Sequence, residues 1–129
     1  MFLELGDKTI ELKTTLGVTR KIEKRFKATA AEVFEHIGAA EIDEHLAILK
    51  IAANEESDID IESYIMENWD YFDIMMATQE LVARLVFSGT TEQMDAKVQK
   101  YPVTEAQKNS IRGLLGIPIP TAPDTGESL

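Results

Sequence analysis

The chain has 129 residues, no cysteine and a net charge of −10. A domain of this size buries roughly two thirds of its unfolded surface, so it can form a core without disulfides or metals. The lack of cysteine excludes disulfides, thiolate metal sites and thiol catalysis, and it favours a reducing compartment. The N-terminus, MFLELGDK, alternates and is charged, unlike a signal peptide, which predicts a cytoplasmic protein.

The charge is unevenly distributed along the chain. Residues 1–27 carry seven Lys/Arg and four acids, residues 28–81 carry one Lys and fourteen acids, and residues 82–129 carry five of each. Phosphate affinity comes mainly from clustered cations, and the acidic middle of the chain would repel a nucleic-acid backbone. Nonspecific nucleic-acid binding is therefore disfavoured, with a basic helix near the N-terminus as the one exception.

The first predicted element is a β-hairpin over residues 1–13. Apolar and polar residues alternate in FLEL and KTIELK, on either side of a Gly6-Asp7 turn. Phe2 and Leu3 cannot both face the core in strict alternation, so the register is left open. Because a lone hairpin is marginal in water, we expect it to pack on helices.

A basic amphipathic helix is predicted from about Thr15. Its apolar stripe consists of Leu16, Val18, Ile22 and Phe26. Most of its cations lie off that stripe, which would suit a nucleic acid, a membrane or an acidic partner. A solvated helix face explains them equally well, because cations near a helix C-terminus suit the helix dipole. We favour the solvated face, since such charge placement is ordinary.

Five shorter helices are predicted from caps and spacing. Three begin at the capping-box pattern Thr-x-x-Glu/Gln, at Thr29, Thr90 and Thr104. They are expected to end near Gly38, Tyr101 and Gly116. Two others run from about Ala40 to a stop at Asn54, and from the start signal Ser57-Asp58-Ile59-Asp60 through IESYIMEN. DIDIE also alternates like a strand, but the cap and the length favour a helix.

The segment Trp69–Phe87 is the most apolar of the chain, and the other elements are predicted to pack around it. Its interior charges, at about 2.5 to 3.5 kcal/mol each even on insertion scales, argue against a membrane span. A buried helix fits better, but its apolar arc is wide and needs neighbours on more than one side. Either the fold wraps it completely, or the surface of Tyr71–Met76 or Leu81–Phe87 binds a second subunit or another helix.

Two groups of residues partly resemble metal sites. His36 and His45 lie among acids, but nine residues and the predicted break at Gly38 separate them, so solvated side chains are expected. Asp58, Asp60 and Glu62 imitate the start of a calcium loop, which the sequence then fails to continue. No catalytic signature is present, so we expect no enzyme, no metal and no cofactor.

Together these elements predict a mainly α protein with an N-terminal β-hairpin, in the α+β class. The expected architecture is a compact bundle of about six helices around the central apolar helix. One domain of residues 1–116 is predicted, with the hairpin in 1–13 and helices in 15–116. Residues 117–129 hold three of the four prolines and are predicted to be a flexible tail.

A short hairpin, a basic amphipathic helix and an acidic helical remainder form a combination that resembles one known family. The matching stretch is Phe2–Phe26, and beyond it the likeness rests on helix order, acidity and length. The chain resembles the tail assembly chaperones of long-tailed bacteriophages and prophages. That family carries no catalytic signature, so the resemblance implies no catalytic residue.

The resemblance implies a chaperone that keeps the tape-measure protein soluble until tail tube protein polymerises around it. It further implies self-association, absence from the mature virion and, in many members, a longer form made by ribosomal frameshifting. We expect the partner to contact either the hairpin and first helix or the central-helix face that bears Met75 and Met76. The candidate contact residues are Leu16, Ile22, Phe26, Tyr71, Phe72, Met75 and Met76. The rival interpretation is an acidic regulator or DNA-mimicking inhibitor that binds a basic partner.

Overall fold

The computed structural model describes residues 1–53 and 60–119. They form a two-stranded hairpin and seven α-helices, which confirms the mainly α fold with an N-terminal β-hairpin. The elements are β1 Phe2–Leu5, β2 Lys8–Glu11, α1 Leu16–Phe26, α2 Ala30–His36, α3 Ile42–Ala53, α4 Ile61–Asn68, α5 Tyr71–Val86, α6 Thr91–Lys100 and α7 Glu105–Leu115. A 3-10 turn at Ile37–Ala39 follows α2. The described residues contain α5 and six further helices, in agreement with the predicted bundle of about six helices around a central one.

The hairpin settles the register that the sequence leaves open. Leu3 pairs with Ile10, and both are buried with Leu5, while Phe2 is 66% exposed. Gly6 begins the turn with a φ of 71°, a left-handed conformation that favours glycine. After β2, the backbone N–H of Lys13 donates to the Ala52 carbonyl at 2.9 Å, which ties the hairpin to the end of α3.

The helix starts follow from their caps. All three predicted capping boxes form, at Thr29, Thr90 and Thr104. The helical interpretation of IESYIMEN is confirmed, and Asp60 caps α4 by accepting from the Ser63 backbone N–H at 3.1 Å. The proposed stop at Asn54 and the start at Ser57–Ile59 lie outside the described residues.

Helix α5 is the centre of the fold, as the sequence predicts. It packs against α2, α3 and α7. Its inward stripe, at helical spacing, consists of Ile74, Thr78, Leu81, Val82 and Leu85. The apolar residues of this stripe belong to a large cluster that also receives the hairpin and helices α1–α4.

A second, smaller cluster covers the C-terminal end of α5. It contains Ala83, Phe87, Met94, Val98, Ile111, Leu115 and Ile117. Phe34 of α2 and Val86 of α5 pack against both clusters and join them. Ile117 belongs to the segment that the sequence assigns to a flexible tail, so the packed chain reaches at least this residue. Residues 120–129 lie outside the described part of the chain.

Arg112 fastens α6 to α7 beside the smaller cluster. Its guanidinium is buried and donates to three side chains: Nε to Asp95 at 2.7 Å, Nη1 to Asn109 at 2.9 Å and Nη2 to Gln99 at 2.8 Å. A buried cation is tolerated when its donors are satisfied in this way. The sequence offered no sign of this network, because a lone Arg in a polar helix resembles a surface residue.

Candidate partner-binding surface

The candidate surface lies where α4 meets α5. Trp69 is extended, and Asp70 begins α5 as its N-cap, accepting from the Asp73 backbone N–H at 2.8 Å while Asp73 accepts from that of Asp70. This capping box was not predicted, because it uses Asp at both ends instead of Thr and Glu or Gln. It ends α4 and starts α5 within two residues, so α4 and α5 are distinct helices.

Large apolar side chains are exposed on both sides of this junction. We call them the α4–α5 patch: Ile42, Met66, Trp69, Tyr71, Phe72 and Met76. Trp69 is half-buried and the other five are exposed, Phe72 most of all at 61%. Ile42, Met66, Trp69 and Tyr71 line a cavity of about 120 Å³ together with Ile65, Asp70 and Ile74.

Helix geometry explains why Phe72 and Met76 are exposed. Each is two positions from Ile74, which turns it about 200° away from the buried stripe. Phe72 and Met76 are four residues apart and therefore lie on one face. Met75, between them in the chain, is half-buried. The sequence left open whether Tyr71–Met76 or Leu81–Phe87 would present an uncovered surface. Leu81–Phe87 is largely covered, and Tyr71–Met76 retains an open apolar face.

The chain around the patch is acidic. Residues 51–83 contain nine Asp and Glu and no Lys or Arg. Exposed acids flank the patch residues in the chain, at Glu41, Asp43, Glu67, Asp70 and Asp73. Lys50, the cation that precedes this stretch, pairs with Glu62 at 3.1 Å. The patch is therefore an apolar area among negative charges.

The predicted partner-binding residues do not form one surface. Tyr71, Phe72, Met75 and Met76 share the first turns of α5. On α1, Leu16 is 83% exposed, but Ile22 is only 1% exposed and is part of the core. Phe26 is half-buried and lines a different cavity, of about 210 Å³, with α2 residues. Ile42 and Met66 were missed, because they become neighbours of α5 only through the fold.

His45 lies beneath the patch and is not solvated, so the expectation for it was wrong. It is fully buried, and its Nδ1 lies 2.5 Å from Oγ1 of Thr78, which is also buried. The Thr78 hydroxyl lies 3.0 Å from the Ile74 carbonyl, and when it donates there, Nδ1–H of His45 donates to Oγ1. The sequence did contain a signal, since His45, Ile48, Leu49 and Ala52 have the spacing of a buried stripe.

Burial favours the neutral form of the His45 imidazole. Burial lowers the pKa of its imidazole, and the Ala40 carbonyl and the Glu44 charge oppose this only in part. Its Nε2 has no hydrogen-bond partner among the described residues. The His45 ring also meets the ring of Tyr71 edge-on, with centroids 5.8 Å apart, and the Tyr71 hydroxyl donates to the Ala40 carbonyl at 2.9 Å. Tyr71 is thus held in place from two sides.

The described residues also bear on metal binding and on membrane insertion. Within residues 1–53 and 60–119, no group of three or more His, Asp or Glu side chains could hold a metal ion. Asp60, in the imitated calcium loop, serves as a helix cap, and Asp58 is not described. No helix in the described part of the chain has the length and apolar character needed to cross a membrane.

No protein-family model, curated protein or solved structure matches this chain. The likeness to the tail assembly chaperones stays a prediction.

Proposed function

We propose that this protein is a non-catalytic tail assembly chaperone that binds the tape-measure protein and keeps it soluble during tail morphogenesis. The observation that supports this is the α4–α5 patch, in which large apolar side chains of α3, α4 and the N-terminal end of the central helix are exposed together. Tail tube protein is the second expected partner. In this role the protein acts in the host cytoplasm and is absent from the mature virion.

The composition of the patch suits a carrier of apolar helices. Exposed apolar patches of this kind mark interaction sites. Met66 and Met76 have unbranched, flexible side chains that can adapt to different partner surfaces. An amphipathic helix laid on such a surface buries its own apolar face, which is what a long tape-measure helix needs before assembly. The surrounding acids would keep the carrier itself soluble.

An acidic regulator or DNA-mimicking inhibitor is the second candidate. The stretch of residues 51–83 without Lys or Arg favours it, since such an array resembles a row of phosphates. The exposed aromatic and Met side chains favour the chaperone, because a mimic of phosphates has no need of them. Salt separates the two: a mimic should lose its partner steeply as salt rises, and a carrier that binds mainly through apolar contacts should lose it far less.

Co-expression with a tape-measure fragment tests the proposed function. We expect the fragment to stay soluble and to co-purify with the wild-type protein. Phe72→Asp should abolish co-purification, because it places a charge in the apolar contact. Phe2→Asp is the matched control, since Phe2 is equally exposed on the hairpin, and it should co-purify normally. A fragment that never co-purifies would contradict the chaperone assignment. A fragment that Phe72→Asp leaves bound would instead contradict the α4–α5 patch as the binding surface.

A further inference from the structure

We infer that the α4–α5 patch selects a cationic amphipathic helix, one whose apolar stripe is flanked by Lys or Arg. This inference rests on the proposed function for the identity of the partner, and it adds the chemistry of the segment that is bound. It is argued from the charge, the cavity and the helical geometry of the patch.

Charge limits the occupants of the patch. The exposed acids next to its residues include Glu67, Asp70 and Asp73, and the chain supplies no cation between Lys50 and Arg84. Lys50 is paired with Glu62, and Arg84 is paired with Glu80 at 2.9 Å. An anionic helix would bring its charges against these exposed carboxylates, whereas a cationic one would be attracted and oriented by them.

The cavity indicates what the apolar stripe must offer. Its volume of about 120 Å³ is well below the roughly 300 to 1,000 Å³ of small-molecule sites. It is therefore suited to a single aliphatic side chain rather than to a cofactor. Five of its seven lining residues are Ile, Met or Trp, and Asp70 lies at its edge, so an apolar anchor next to a cation fits it.

The patch also favours a helix over an extended peptide. Strand addition needs a sheet edge, and the patch residues lie on α3, α4, α5 and the junction, not on the hairpin. Phe72 and Met76 form a ridge one helical turn long, the spacing that packs into the groove of another helix. An occupant with apolar residues at i, i+3, i+4 and i+7 matches this ridge.

Peptide titration of the full chain tests the inference. Trp69 is the only tryptophan of the chain and lines the cavity, so its fluorescence reports binding at the patch itself. The probes are three peptides of about 18 residues without tryptophan. The first has Leu at helical spacing with Lys elsewhere, the second replaces each Lys by Glu, and the third is a scrambled form of the first with no apolar face.

The Leu/Lys peptide should bind at least about tenfold more tightly than the other two at about 50 mM salt. Its advantage over the Leu/Glu peptide should shrink as salt rises, because charge creates that difference. Phe72→Asp should weaken binding about tenfold. If electrostatic attraction alone held the peptide, Phe72→Asp would instead strengthen binding, since that variant gains a negative charge. Phe2→Asp adds the same charge at a residue outside the patch and should leave the affinity for the Leu/Lys peptide nearly unchanged.

Specific outcomes overturn the inference. If the Leu/Lys and scrambled peptides bind with equal affinity, charge alone explains binding and no apolar face is recognised. If the Leu/Glu peptide binds as tightly as the Leu/Lys peptide, the patch does not select by charge. If Phe72→Asp loses its helical circular dichroism, Phe72→Ala replaces it, and unchanged peptide binding by Phe72→Ala would overturn the inference. A wild-type dimer in sedimentation that Phe72→Asp dissociates would assign the patch to a second copy of the chain.

The same variants separate this inference from the proposed function. Suppose that the tape-measure fragment co-purifies with wild type and with Phe72→Asp alike, and that the three peptides bind with equal affinity. The patch and the cationic helix are then wrong as the binding mode, but the tape-measure protein remains the partner. If the Leu/Lys peptide binds as expected but the fragment never co-purifies, the surface chemistry stands and the chaperone assignment fails.

Discussion

The two ends of helix α5 carry similar side chains in opposite surroundings. At the C-terminal end, Phe87 is buried and meets the rings of Phe34 and Tyr101 edge-on, at centroid distances of 5.8 and 5.1 Å. At the N-terminal end, Phe72 is largely exposed. The difference arises because α2, α6 and α7 cover one end, while the break at Trp69–Asp70 leaves one face of the other uncovered. Hydrophobicity alone therefore does not decide which residue forms the core.

This contrast divides the helix into a structural part and a surface part. Substitutions at the covered end should act on stability, and substitutions at the open end should act on binding. The same change made at both ends tests that division directly.

The largest expected effect is at Phe87. Phe87→Ala should lower the free energy of unfolding by about 3 to 5 kcal/mol, because it removes a buried ring and leaves a cavity. Phe72→Ala should change it by only about 0.5 kcal/mol, as is usual for an exposed position. Denaturant unfolding of both variants measures the difference. Equal losses would show that the two ends are not distinct.

Arg112 tests how firmly the covered end is closed. Arg112→Ala should cost about 1 to 3 kcal/mol, since it removes three hydrogen bonds, two of which join α7 to Asp95 and Gln99 of α6. Asp95 remains about half exposed, which limits the penalty of leaving its charge unpaired. Lys50→Ala is the control, because both members of its ion pair are exposed, and it should cost less than about 1 kcal/mol. Chemical denaturation compares them.

Asp70 tests what defines the open end. Asp70→Ala removes the N-cap of α5 and should cost about 1 kcal/mol. Asp70→Asn retains a capping oxygen and should lose only a fraction of this. Thermal unfolding monitored by circular dichroism measures both. Matching losses for the two substitutions would mean that the carboxylate charge, and not the cap, matters here.

The smallest effect concerns pH and the buried His45. Its pKa is lowered by burial, so near pH 6 the unfolded chain binds more protons than the folded one. Stability should therefore be complete above the unfolded value of about 6.5 and should fall as the pH drops below it. Unfolding at about pH 8 and about pH 5.5, on either side of that value, checks this. His45→Gln should lose this part of the pH dependence, and His36→Gln should retain it.

Much of the fold could be predicted from the sequence because local chemistry determines it. Thr29, Thr90 and Thr104 begin their helices through hydrogen bonds to residues three positions later, and Gly6 begins its turn through its own conformation. Such features need no knowledge of distant residues. The capping box that starts α5 was not predicted, since Asp70 and Asp73 replace the Thr and the Glu or Gln of the other three boxes.

The candidate surface was predicted only in part, because exposure depends on what packs where. The apolar period of α5 places Phe72 and Met76 on one face, but it cannot tell whether another helix covers that face. Leu16 and Ile22 belong to the same predicted apolar stripe of α1, yet Leu16 is exposed and Ile22 lies in the core. His45 and Thr78 are polar residues whose burial depends on their meeting across α3 and α5.

The contacts of Phe34 and Val86 with both clusters bear on how the protein unfolds. Because these two side chains belong to the boundary of each cluster, opening the smaller one would expose apolar surface of the larger one as well. The described helices should therefore melt in a single cooperative transition, with the same midpoint for Trp69 fluorescence and for circular dichroism. A protein built in this way does not release half of its core while the other half persists, so partners meet only the apolar surface that the native fold displays.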